Sequence, residues 1–141
     1  MAQEIAVEEP GFFDVTGPGE GNKKTNAFMR KLQRRAKGEF STDLSEQEIC
    51  GHTKFAVDFY FKEEATIVEV ALSLKNPNTE FEKDILKALM AQERNFAVTK
   101  LLFLSKPGAI KRHESPSSRD IVEWVKRNHG IQVEVKELVP E

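Results

Sequence analysis

Residues 55–75 read FAVDFYFKEEATIVEVALSLK. The stretch divides into Phe55–Phe61 and Thr66–Leu74 around a charged turn, Lys62-Glu63-Glu64-Ala65. Phe55, Val57, Phe59 and Phe61 alternate along the first half, and Val68, Val70, Leu72 and Leu74 along the second. Strict alternation is the period of a half-buried strand, so the spacing predicts a β-hairpin. With Glu63 and Glu64 at the tip, Lys62 faces Ala65, and the register carried back sets Asp58 opposite Glu69. Like charges facing each other destabilise a hairpin. Such a pair needs a cation, a shared proton or solvent between the two acids. A divalent ion suits the first option, because hard cations take oxygen ligands. The alternative is a bulge that slips the register and leaves both acids solvated on outward strand faces.

Around this hairpin the 141 residues suffice for one domain with a core. Hydrophobic residues make up 39% and charged residues 31%, a soluble, globular composition. The formal net charge of −2 excludes a globally basic nucleic-acid binder, so any such role must rest on local charge. The single cysteine, Cys50, excludes an internal disulfide and a multi-cysteine zinc site. It fits a reducing compartment, and a cytoplasmic location is expected. No apolar run approaches the roughly eighteen residues of a membrane span, and the acidic N-terminus does not read as a signal peptide. No membrane partner is expected.

Residues 1–22 carry Glu4, Glu8, Glu9, Asp14 and Glu20 among prolines and glycines. They read as a flexible acidic arm, with Phe12 and Phe13 as anchors; residues 23–141 read as a single α/β domain. The piece Gly17–Thr25 lacks a glycine immediately before Lys-Ser/Thr, which argues against a phosphate-binding loop. Asn26–Lys37 reads as a helix, capped by Thr25 or Asn26 and ended by Gly38. Lys23, Lys24, Arg30, Lys31, Arg34, Arg35 and Lys37 are basic, and no acid interrupts residues 21–38. That asymmetry is either a solvated face or the electrostatic footprint of phosphate-backbone contact.

Leu44–Cys50 reads as a short strand near a sheet edge. Thr79 and Glu82 form a capping box for a helix running to about Arg94. Val98–Leu104 reads as a buried strand, Ser105–Ser118 as a loop, and the next helix starts at a Ser117 or Ser118 cap and ends near His129. Trp124 joins Ile121, Val122 and Val125 on its apolar face. Ile131–Val139 alternates again as a last strand. His113 and His129 have no helical partner at four-residue spacing, which argues against a histidine zinc site. Cys50 and His52 are too close along one strand to act as nucleophile and base. The order is α-β-β-β-α-β-α-β, a mixed sheet flanked by helices, and the helical crossover requires a parallel pair.

That order, with Asp58 on the second strand and Glu69 eleven residues later on the third, resembles the PD-(D/E)xK nuclease superfamily over residues 26–104. Val57-Asp58-Phe59 matches the Asp, Val68-Glu69-Val70-Ala71 matches the Glu, and Ala71 stands where that family has Lys. The resemblance implies a restriction-endonuclease-like fold and phosphodiester hydrolysis, with magnesium (or manganese) held by Asp58 and Glu69. The family's Lys helps position and activate water, so the replacement must come from elsewhere. Lys75 shares a face with Glu69 but lies about 20 Å along the strand. Lys83, Lys87 and Gln92 on the following helix are the substitutes, and Lys87, at mid-helix, is the choice for the third catalytic residue. Nucleic acid is then the partner, met by the 23–37 basic segment, with a homodimer as an option for cutting both strands. The competing expectation is an interaction module on the same scaffold, with catalysis lost along with the Lys. A third is an RNA-associated factor using the same basic helix.

Overall fold

The structure, a computed structural model, describes residues 1–14, 20–51, 55–72 and 80–140. Thr79, His52 and Lys75 therefore lie outside the described residues, as do Gly17–Gly19. The chain forms two compact units, Met1–Leu44 with Leu138–Glu141, and Ser45–Glu137.

The second unit is built on a five-stranded sheet whose spatial order follows the sequence: β1 (Ser45–Gln47), β2 (Val57–Phe61), β3 (Thr66–Val70), β4 (Lys100–Ser105) and β5 (Gln132–Glu137). The steps β1–β2 and β2–β3 are antiparallel, and β3–β4 and β4–β5 are parallel. A parallel step needs a crossover. Helix α3 (Glu82–Glu93) provides the first, and α4 (Ala109–His113) with α5 (Pro116–His129) the second. The sheet is mixed and the class is α/β.

The hairpin pairs Phe59 with Val68, Tyr60 with Ile67 and Phe61 with Thr66, the register that the charged turn predicts. Ala65 closes the turn by donating its N–H to Lys62 O at 3.1 Å. Its φ of 49° supplies the left-handed residue that matches a tight turn to strand twist. The expected alternation of a half-buried strand is not what β3 shows. Ile67, Val68 and Glu69 are all buried in succession, as in a strand covered on both faces. On the Ile67 side, Phe81, just before α3, and Ile85, Ala88 and Ala91 within it join Leu101 and Phe103 of β4 in one apolar core. Each of the larger side chains among them, Phe81, Ile85, Leu101 and Phe103, stabilises the fold by about 1.5–3 kcal/mol before the entropy of ordering it. Beyond the β3 ladder, Ala71 N–H donates to Leu104 O at 2.9 Å, so the strand-like pairing reaches the position where the motif would have its Lys.

Three further expectations change. Residues 105–118, read as a loop, contain α4, entered through Gly108 at φ 99°. Helix α5 begins at Pro116 rather than after Ser117 or Ser118, because proline at the first helical position is pre-set for helix and has no N–H to lose. Trp124, placed with the core from sequence, is 45% exposed, while Val122 and Val125 are buried.

In the first unit, α1 (Ala2–Glu8) and α2 (Glu20–Phe40) pack together. The stretch read as a flexible arm thus opens on a helix with Ile5 and Ala6 fully buried. Phe12 is buried too, its ring 4.8 Å from that of Phe28. The expected boundary at residue 22 falls inside α2, and Gly38 does not end that helix. Ser41, at φ 57°, takes the left-handed position after it that glycine usually fills. Among the described residues no helix is long and apolar enough to cross a membrane.

Candidate active site

Asp58 sits on β2, Glu69 on β3, and Asp84 and Lys87 one turn apart on α3. The crossover lays α3 against the face of β3 that carries Ile67, so Glu69, two residues on, points at the same helix. Glu69 is 3% exposed, Asp84 6% and Lys87 7%. Burial of three ionisable groups is tolerated only when they are paired. Lys87 Nζ lies 2.8 Å from Glu69 Oε1 and 3.0 Å from Asp84 Oδ1. It also donates to Ala56 O at 3.0 Å. Its approach to Glu69 Oε1 is an ion pair, and that buried oxygen has no hydrogen bond among the described residues. Asp58 is partly buried and reaches along the hairpin, its Oδ2 accepting the Val70 N–H at 2.7 Å.

Two buried acids and a third nearby thus share one ammonium. Burial, then the charges of Asp84 and Asp58, push the Glu69 carboxyl up to about 9 against the opposing pull of Lys87. Burial raises Asp84 as well. Lys87 is raised because Glu69 and Asp84 together outweigh its own desolvation. The ammonium stays charged and Glu69 is where a proton, or another cation, is taken up.

Ala71 packs against the apolar core on the Glu69 side of β3 and brings no cation there. The ammonium nearest Glu69 comes from Lys87 instead. Lys83 is exposed, with its Nζ 5.2 Å from the centre of the Phe55 ring, and Gln92 donates to the carbonyls of Val98 and His129, at 2.8 and 3.0 Å. Asp84 was not singled out from sequence. The signal that could have found it is its position three residues before Lys87, on one helix face.

The basic segment is on α2. Lys31 pairs with Glu9, Arg35 with Glu8 at 2.9 Å and with Glu4 at 3.6 Å, and Lys24 donates to Pro10 O at 3.1 Å. Lys24 also lies over Gly11, where φ is +70° and any Cβ would collide with its ammonium. Lys23, Arg30, Arg34 and Lys37 are exposed and pair with no acid among the described residues. Part of the asymmetry seen in sequence is therefore answered by the acids of the N-terminal stretch.

Elsewhere, Cys50 is 1% exposed, and burial raises its thiol. His113 packs edge-on to Phe81 at 5.3 Å between ring centres, and burial lowers it. A shallow apolar groove between α3 and α5, about 530 Å³ and lined by Leu86 and Trp124 among others, contains none of the site residues expected from sequence. No group of three or more His, Cys, Asp or Glu side chains among the described residues is arranged to hold a metal ion.

Compared with known protein families, curated proteins and solved structures, the chain matches none.

Proposed function

We propose that this chain is a metal-dependent, nuclease-like protein that acts on or binds nucleic acid through a restriction-endonuclease-like core. The observation that carries the reading is the approach of Lys87 Nζ to within 2.8 Å of Glu69 Oε1. The hairpin lacks a cation at Ala71, and the crossover helix delivers one to the same acid. The element order supports it: an antiparallel hairpin bearing Asp58 and Glu69, then a helix, then a parallel strand.

The donors fit a magnesium-class ion. Glu69 Oε1 is buried and lacks a hydrogen bond, and the donors are carboxylate oxygens. Magnesium is typically held by one or two carboxylates plus water and substrate phosphate, so no three-residue cage is needed. Asp58 and Glu69 would hold it. When bound, such an ion neutralises developing phosphoryl charge and lowers the pKa of a bound water. Lys87, held charged by its neighbours, offers the ammonium that orients a water or a phosphate oxygen. The unpaired cations Lys23, Arg30, Arg34 and Lys37 are suited to backbone phosphates by sequence-independent charge.

Cleavage of labelled DNA and RNA oligonucleotides with magnesium or manganese tests the reading. Wild-type protein should cleave at least one of them, and Lys87→Met should slow cleavage by about a hundredfold or more. Equal rates in the two proteins would refute the role given to Lys87.

One observation favours a second reading, a non-catalytic interaction module on this scaffold. Lys87 already meets three acceptors, and an ammonium has three N–H donors. Its charge then serves as the permanent counter-ion of the acids. That reading expects no metal affinity and no cleavage.

A further inference from the structure

Lys87 is held by two kinds of partner. Glu69 and Ala56 O come from the sheet side of the contact, whereas Asp84 stands one turn earlier on α3 itself. A contact at i, i+3 is set by the helix and survives any shift of the helix against the hairpin. Asp84, like Glu69, is buried and has no polar partner besides Lys87 among the described residues. An acid so buried is a liability unless it keeps that partner. Its place in the first turn of α3, where the helix dipole favours negative charge, helps it stay ionised.

We propose that Asp84 is the positioning residue of this site: it tethers the Lys87 ammonium beside Glu69, so that Lys87 stays in place when Glu69 turns to another cation. Its kinetic consequence rests on the nuclease-like reading; the tether itself does not. Glu69 is the exchangeable partner, since it stands on the sheet while Asp84 shares the helix of Lys87. Drawn away, it leaves the Lys87 ammonium open on one side, while Asp84 Oδ1 and Ala56 O each stay at 3.0 Å. The open side can then face a substrate oxygen. A misplacement of the ammonium by about 1 Å is enough to lower a rate about a hundredfold.

The experiment is nitrogen-15 NMR of lysine ammonium groups in the full chain, with the Lys87 signal assigned by its loss in Lys87→Met. A buried, hydrogen-bonded ammonium exchanges slowly with water and gives a resolved signal, unlike exposed lysines. The signal should persist in Glu69→Gln and vanish or broaden in Asp84→Asn, with circular dichroism confirming that both fold. Loss in Glu69→Gln, an unchanged signal in Asp84→Asn, or no Lys87 signal in wild type would each overturn the tether. If Asp84→Asn does not fold, the Glu69→Gln result decides alone. In a protein that cleaves, Asp84→Asn should lower kcat about a hundredfold at unchanged KM and unchanged manganese affinity. A parallel loss of manganese affinity would make Asp84 a ligand and overturn its assignment. Wild type that neither binds manganese nor cleaves refutes the nuclease-like reading, while the ammonium signal still judges Asp84.

Discussion

Glu69 of β3 and Lys87 of α3 meet at 2.8 Å, although they are eighteen residues apart in the chain. The parallel step from β3 to β4 brings them together. It forces α3 back across the sheet, and the apolar stripe of Phe81, Ile85 and Ala88 turns the Lys87 side of the helix toward Glu69. A lysine on that face has to bury its charge, and it does so against Glu69 and Asp84.

Removing the cation should therefore be strongly destabilising. Lys87→Met leaves Glu69 and Asp84 buried without their partner, and a loss of roughly 3–5 kcal/mol is expected. Urea denaturation measures it. Adding Glu69→Gln to Lys87→Met should recover part of the loss, since the two groups are in contact and their effects do not add.

The same cluster sets a pH dependence. The Glu69 carboxyl is raised to about 9 from its ordinary 4.5, so between these values the folded state holds a proton that the unfolded chain has released. Stability from this group is full below about pH 4.5 and declines as pH rises toward 9. Asp84, also raised, acts with the same sign. Lys87 is raised too, but its contribution is lost only at higher pH, beyond its ordinary 10.5. His113 is lowered, so it weakens the fold only as pH falls below its ordinary 6.5. The urea midpoint should thus fall from about pH 6.5 to 9 in wild type, and the fall should be shallower in Glu69→Gln. Equal slopes would remove the basis for a protonated Glu69.

The hairpin was legible because alternation and a charged tip fix a register, and the pairs Phe59–Val68 and Tyr60–Ile67 follow from it. Lys87 was one of three substitutes on the following helix once Ala71 was seen to lack a cation, and its place at mid-helix singled it out. The burial of Glu69 could not be read. Alternation tells which residues share a face, not whether a helix covers it, and the covering helix begins eleven residues past Ala71. Asp84 was hidden for the same reason, since an acid in a first helical turn reads as a solvated one. The acidic N-terminal stretch misled by composition. Its charges suggest an arm, whereas Ile5, Ala6 and Phe12 hold it by burial.

That last contrast can be measured. Phe28→Ala, which removes the ring beneath Phe12, should destabilise the protein by about 3–5 kcal/mol. Arg35→Gln, which breaks exposed pairs to Glu4 and Glu8, should cost about 1 kcal/mol or less. Denaturant midpoints for the two variants give the comparison. The reverse order would mean that charge, not burial, holds the N-terminal stretch to α2.

For nucleic acid, the unpaired cations should matter most. Arg30→Gln with Arg34→Gln should weaken binding to a labelled oligonucleotide more than Lys31→Gln with Arg35→Gln, whose cations already face carboxylates. The first pair should also flatten the salt dependence, by roughly one counter-ion for each phosphate no longer neutralised. Fluorescence anisotropy across a salt series reads both effects. No binding at low salt would exclude the phosphate-contact role of α2.

The most direct test is calorimetric titration of manganese into wild type and into the Asp58→Asn, Glu69→Gln double variant. Saturable binding in wild type, lost in a double variant that still folds, is the predicted result. The absence of binding in wild type would contradict a metal-dependent site, and would leave Lys87 as the permanent counter-ion of a scaffold without chemistry.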